Sequence, residues 1–190
     1  MRFSVRIAGF GGQGVVTAGR ILALAAMRRN PQLYVIYTPS YGFASRGSNA
    51  MSDVIMDDKP VNYPKVIKLD VLVALSEGAY TESIGAVDAN GMVLVDRTLV
   101  TNLGEPRGSI GILSIDPAKV AEGLGSTIFT STVVLGVLSR LLSKYLDPLA
   151  LEETVLNYLP GKYSEQNKKA LELGASMMVV VVARNQKSCS

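Results

Sequence analysis

Apolar positions in this chain fall into short bursts bounded by glycine and proline, and the bursts alternate between a two-residue and a helical period. Residues 3–8 are apolar at alternate positions and then continuously, which predicts a strand entering a core. The glycine cluster at residues 9–14 follows. Residues 15–28, rich in Ala and Leu, then read as a helix that Asn30-Pro31 stops. Residues 33–37 predict a second strand ended by Pro39, and residues 40–48 an ordered loop or short helix. Residues 50–56 alternate as a half-buried strand does, and Asp57-Asp58-Lys59-Pro60 reads as a turn.

Residues 70–75 (Asp-Val-Leu-Val-Ala-Leu) form a buried-strand pattern with a short helix after it from about Glu77, which Ser76 is placed to cap. Gly91 opens a strand at residues 92–96, and Asp96-Arg97 reads as a turn pair. Residues 109–115 predict another strand, and Asp116-Pro117 puts proline in the first turn of a helix. Residues 130–144 form a strongly apolar helix. Asp147-Pro148 begins a further helix to about Asn157, closed by Leu159-Pro160-Gly161, and residues 164–183 read as one last helix. Its four valines, residues 179–182, fit a helix or a buried strand. Strands alternating with helices, then helices dominating, predict a single α/β domain over residues 1–190: three layers, α/β/α, with a largely parallel or mixed sheet.

Composition narrows the chemistry more than it changes the fold. With 190 residues, 48% hydrophobic and 18% charged, the chain fills one core. The net charge of +3 is spread without a basic run, so no nucleic-acid stripe is expected. The longest apolar stretch, residues 131–142, is cut by Arg140 and is too short to span a bilayer, and residues 1–7 lack the pattern of a signal peptide. A cytoplasmic protein without a membrane partner is therefore expected. There is no histidine and a single cysteine, Cys189, so the chain lacks the residues for a cysteine-ligated cluster, a zinc site or a histidine base.

Candidate chemistry lies in two loops. Gly9-Phe10-Gly11-Gly12-Gln13-Gly14 has the spacing Gly-x-Gly-x-x-Gly between a strand and a helix, where backbone N–H groups and the helix dipole favour an anion. Three readings stand side by side: a dinucleotide site, a loop built for close packing, and a phosphate or partner-subunit site. No Asp or Glu occurs between Arg20 and Asp53, which removes the acid that usually holds a dinucleotide's ribose. In the second loop, Arg46 stands beside Gly47, Ser45 and Ser48, a setting that suits a phosphate or carboxylate and equally a surface turn. In an α/β sheet both loops would lie beyond the carboxyl ends of neighbouring strands. Tyr37, Tyr41 and Tyr63 read as packing residues with a polar tip.

The run Arg6-Ile7-Ala8-Gly9-Phe10-Gly11-Gly12-Gln13-Gly14-Val15 resembles the opening of the gamma subunits of 2-oxoacid:acceptor oxidoreductases. Ser40-Tyr41-Gly42 and Arg46-Gly47 are similar to that family's Ser-Tyr-Gly-Pro…Arg-Gly-Gly segment, with Phe43 and Ser48 departing from it. Ser52-Asp53-Val54-Ile55, Tyr63-Pro64-Lys65-Val66, Asp70-Val71-Leu72-Val73-Ala74-Leu75-Ser76 and Asn167-Lys168-Lys169-Ala170-Leu171-Glu172-Leu173-Gly174 extend the resemblance in order along the chain, most like the 2-oxoglutarate type.

The resemblance implies a non-self-sufficient subunit of a heteromeric 2-oxoacid:ferredoxin oxidoreductase, which converts a 2-oxoacid to an acyl-coenzyme A. Alpha, beta and delta subunits would be its partners, with thiamine diphosphate, magnesium and [4Fe–4S] clusters held by them and ferredoxin reached through the complex. It further implies that Gly11, Gly12, Gln13, Gly14, Ser40, Tyr41, Gly42, Arg46 and Gly47 help hold the phosphates of coenzyme A. Apart from the resemblance, the apolar stretches at residues 131–142 and 177–182 lead to the expectation that the chain in isolation pairs with itself through the face its partners would cover. Two rivals remain at this level: a free-standing Rossmann-type dinucleotide-binding oxidoreductase, and a purely structural assembly subunit.

Overall fold

A computed structural model describes residues 2–41, 49–104 and 109–177, and the backbone alone of 180–184. Its centre is a seven-stranded sheet in the order β2-β3-β1-β4-β5-β6-β7. The strands are β1 (Phe3–Phe10), β2 (Tyr34–Tyr41), β3 (Asn49–Asp57), β4 (Leu69–Ala74), β5 (Val87–Asp96), β6 (Gly111–Ile115) and β7 (Val180–Arg184). β1, β4, β5 and β6 run parallel. β3 is antiparallel to both β1 and β2, and β7 antiparallel to β6. The sheet is therefore mixed, with a parallel centre and antiparallel pairings at both sides.

The helices are α1 (Val15–Arg29), α2 (Glu77–Ser83), α3 (Pro117–Gly123), α4 (Thr130–Leu141), α5 (Pro148–Tyr158) and α6 (Ser164–Ser176). The layers are unequal because the two sheet faces bury different partners. Val5, Ile7, Val54, Met56, Val71, Val73 and Leu94 pack in one core with α1, α4 and α5. On the opposite face Leu72, Ala74, Val93, Val95 and Ile112 are covered by Tyr80 of α2 and by Val100 and Leu103 of the segment after β5. Helix α6 packs outside α4. A Cβ on Gly174 would collide with Val133 O, and one on Gly136 with Leu171 O and, at 3.0 Å, Ala175 N, so these two glycines let the helix backbones touch.

Three sequence expectations need correction. Pro39 does not end the second strand, because β2 is an edge strand, where a proline's missing N–H costs no ladder bond; Pro39 is paired with Ser52 inside it. The last helix does not reach residue 183. It stops at Ser176, and Val180, Val181 and Val182 lie in β7 against β6, the outcome that β-branched residues favour once a strand edge is available. The apolar helix from Thr130 ends at Leu141, three residues before the expected Lys144.

Candidate functional site at the carboxyl edge of the sheet

The chain leaves β1 toward β2 and β3 on one side and returns to β4 on the other, so the C-terminal ends of β1 and β4 flank the point where strand order reverses. Ligands in open α/β sheets bind in that crevice. The glycine loop fills one wall of it, and the Leu75-Ser76-Glu77 turn into α2 fills the other.

The three glycine positions with a structural requirement do different things. At Gly9 an added Cβ would collide with Gln13 Oε1 and approach Leu75 Cβ to 3.0 Å, so this glycine serves strand-to-loop packing. Gly14 holds φ 73° as the N-cap of α1, with Ser131 Oγ of α4 only 2.7 Å from where its Cβ would stand. Gly12, at φ 102°, has nothing within 4 Å of an added Cβ, and Gly11 and Gly12 are exposed. Within this loop, Gly12 thus combines a positive-φ turn conformation with open space above it. α1 begins there without a side-chain cap and with no acid in its first turn. Its leading N–H groups lack intrahelical partners, as in any helix, and carry the positive end of the dipole.

Gln13 faces inward. Its Oε1 accepts from Phe10 N at 2.7 Å and its Nε2 donates to Leu75 O at 3.0 Å, so the amide staples the loop to itself and to the end of β4. The first turn of α1 is anchored from below. Tyr37 OH donates to Val16 O at 2.9 Å and Ser52 Oγ to Val15 O at 2.8 Å. Burial, and then the neighbouring Tyr41, push the Tyr37 phenol above its ordinary pKa, which keeps it a neutral donor.

Ser40 and Tyr41 are exposed at the end of β2, with Tyr41 at 69%. Gly42, Arg46 and Gly47, together with Phe43 and Ser48, lie outside the described residues. The two ends of their segment are nonetheless placed. Tyr41 pairs with Ala50, and Asn49 pairs with Phe10, so the segment leaves and re-enters the sheet at the edge that carries the glycine loop. Asn49 Nδ2 donates to Glu82 Oε1 at 2.6 Å, tying that re-entry point to α2.

Other sequence candidates have structural work. Ser76 caps α2 by accepting from Ala79 N at 3.2 Å, and Glu77 Oε2 accepts from Thr101 N at 2.9 Å. Asp96 accepts from Thr98 N and Oγ1, whereas Arg97 reaches over to the Asp116 carboxylate with both ends of its fork. Tyr63 is half exposed, and its carbonyl accepts from Arg2. Among the described residues no group of three potential metal ligands occurs, and no helix is long and apolar enough to cross a membrane. Ser131 was invisible to sequence reasoning. It sits in an apolar helix more than a hundred residues from the glycine loop, and only the packing of α4 on α1 brings them together.

Comparison with known proteins agrees with this architecture. The family model described as pyruvate ferredoxin/flavodoxin oxidoreductase matches residues 4–177. The 2-oxoglutarate synthase subunit KorC of Methanocaldococcus jannaschii is 36% identical over 176 residues, covering 92% of each chain. The gamma subunit of a keto/oxoacid ferredoxin oxidoreductase from Geobacter sulfurreducens superposes with a TM-score of 0.79 at 29% identity, over 93% of this chain and 95% of that one. The 2-oxoglutarate:ferredoxin oxidoreductase of Magnetococcus marinus, solved with 2-oxoglutarate, coenzyme A and succinyl-CoA bound, matches in fold at 20% identity and a TM-score of 0.77, over 96% of this chain and 32% of that one. The chain accordingly belongs to the pyruvate ferredoxin/flavodoxin oxidoreductase family, as the gamma subunit of a 2-oxoacid:ferredoxin oxidoreductase.

Proposed function

We propose that the subunit serves a complex of the 2-oxoglutarate type and that its own part in the reaction is to hold the phosphates of coenzyme A at the glycine loop, with Arg46 as a further phosphate contact. Thiamine diphosphate, magnesium and the [4Fe–4S] clusters belong in this reading to alpha, beta and delta subunits, and ferredoxin takes electrons from the assembled complex. The observation that carries it is the start of α1. An uncapped helix N-terminus opens over an exposed glycine turn at the switch point of the sheet, which is a setting for phosphate oxygens.

A dinucleotide enzyme fits poorly. The end of β2 reads Thr38-Pro39-Ser40-Tyr41, with no acid for a ribose, and β3 stands between β2 and β1.

Arg46 provides the test. Charge-assisted hydrogen bonds to a phosphate are worth about 1.5–3 kcal/mol, and each 1.4 kcal/mol is about a factor of ten. Arg46→Ala in the reconstituted complex is therefore expected to raise KM for coenzyme A about tenfold or more and to leave KM for the 2-oxoacid nearly unchanged. Arg46→Lys should rescue in part, because lysine keeps the charge and loses the fork. Equal weakening toward both substrates would make Arg46 an assembly residue, in line with a purely structural subunit. No change toward either would make it a surface arginine.

A further inference from the structure

The N-terminus of α1 has no side-chain cap, and the residue at the cap position is a glycine held at φ 73°. A hydroxyl from another helix points at that position. Ser131, in the first turn of α4, is 8% exposed, and its Oγ lies 2.7 Å from the place a Cβ on Gly14 would take. Its neighbour Thr130 satisfies its own hydroxyl on Thr127 O at 2.7 Å, the usual resort of serine and threonine near a helix start. Ser131 makes no hydrogen bond to any described residue. The residue is buried, but its Oγ is not an enclosed atom, so the hydroxyl opens outward and is free to take a partner from outside the chain. It is aimed at the start of a 15-residue helix whose leading N–H groups gather at the same spot. Helix α4 is continued backward by the 3-10 turn Thr127–Phe129, which Ser126 caps by accepting from Ile128 N at 3.3 Å, so the uncapped helix end opposite Ser131 is that of α1.

We infer that Ser131 is a ligand-binding residue: its hydroxyl donates to a phosphate oxygen seated on the N-terminus of α1, in the place of the missing cap. The inference rests on the reading of the glycine loop as the phosphate site of coenzyme A and adds to it a side-chain donor from α4. It also accounts for glycine at position 14. A side chain there would strike Ser131 Oγ and separate the hydroxyl from the helix end it serves.

The test uses the reconstituted complex with two thiol acceptors, coenzyme A and pantetheine, which lacks the phosphates. Ser131→Ala is expected to raise KM for coenzyme A about tenfold more than KM for pantetheine, the loss of about one hydrogen bond to a charged group. Equilibrium binding of coenzyme A to the complex without 2-oxoacid should weaken by the same factor. Ser131→Cys keeps the volume and loses the good donor, so it should behave like Ser131→Ala. A parallel variant, Gly11→Asp, places a negative charge on the exposed loop at a position that does not require positive φ. If Gly11→Asp weakens coenzyme A and Ser131→Ala does not, the Ser131 inference falls while the loop reading stands. If neither variant moves coenzyme A, the loop reading falls and takes the inference with it. Restoration by Ser131→Cys, or an equal loss with pantetheine, would show Ser131 to be a packing residue and overturn the inference.

Discussion

Gln13 and the glycines around it show how one short loop divides its labour residue by residue. The Gln13 amide bridges Phe10 N and Leu75 O, and both groups sit where the loop meets β4. Each bond is worth about 0.5–1.5 kcal/mol, so Gln13→Ala should cost about 1–3 kcal/mol, read as a fall in Tm with the fold retained. Gly12 and Gly9 should part in the same assay. Gly12→Ala meets no atoms, and its cost is that of a left-handed backbone alone, about 1–2 kcal/mol. Gly9→Ala must displace both the Gln13 staple and Leu75, and should lower Tm further. A Tm for Gly12→Ala below that of Gly9→Ala would contradict the open space seen above Gly12. The Arg6–Asp53 fork, 2.7 and 2.8 Å across β1 and β3, is the strongest pair on the opposite sheet face, with both side chains about 15% exposed. Removing one partner of a buried pair costs up to about 3–5 kcal/mol, and partial exposure reduces that here. Asp53→Ala is expected to destabilise measurably, and Asp53→Ala with Arg6→Met less than Asp53→Ala alone.

Between elements, the contact most sensitive to substitution is the crossing of α4 and α6. Gly136 and Gly174 face each other's backbones, and the atoms in the way are carbonyl oxygens and an amide nitrogen, which do not rotate aside as a side-chain end would. Gly136→Ala or Gly174→Ala should therefore reach the upper end of the about 1–3 kcal/mol cost of overpacking, a Tm loss of roughly 6–12 °C at this chain length. A Tm within 2 °C of the parent would mean that the two helices part freely. The crossing matters to the site because α4 carries Ser131 at its first turn. Moving α6 should shift α4, and with it the hydroxyl opposed to Gly14. The β2–β3–β1 side of the sheet behaves differently. There the antiparallel register, Tyr41 to Ala50 and Asn49 to Phe10, determines where the segment after β2 leaves and re-enters, whatever residues that segment contains.

For the whole molecule, the proposed division of chemistry among subunits leads to two expectations. With one cysteine and no histidine, the purified chain should be colourless, with no iron–sulfur absorbance and no 2-oxoacid-dependent dye reduction; either signal would refute the proposal that the clusters and the thiamine chemistry lie in other subunits. Exposed apolar residues also gather at the carboxyl edge, with Phe10 at 41% and Tyr41 at 69%, and Ile128 at 55% in the turn that leads into α4. Surfaces of this kind are usually covered by a partner. The isolated chain should accordingly self-associate, and light scattering that shows a monomer at high concentration would count against an interface there.

Periodicity and punctuation in the sequence were enough to determine most elements and their class, because a buried strand or an amphipathic helix must repeat its apolar positions at its own period. The glycine loop was legible for the same local reason: its strand, its turn and its helix are consecutive. The end of β2 and the fate of the last valines were not legible. Pro39 is harmless only in an edge strand, and residues 180–184 become a strand only because β6 offers an unpaired edge. Sheet order, which residues share no sequence neighbourhood to announce, decided the rest. It placed β3 between β2 and β1, which removed the geometry of a dinucleotide site. Close packing of α4 set Ser131 against Gly14, a contact that exists only once two helices far apart in the chain bring their N-termini together.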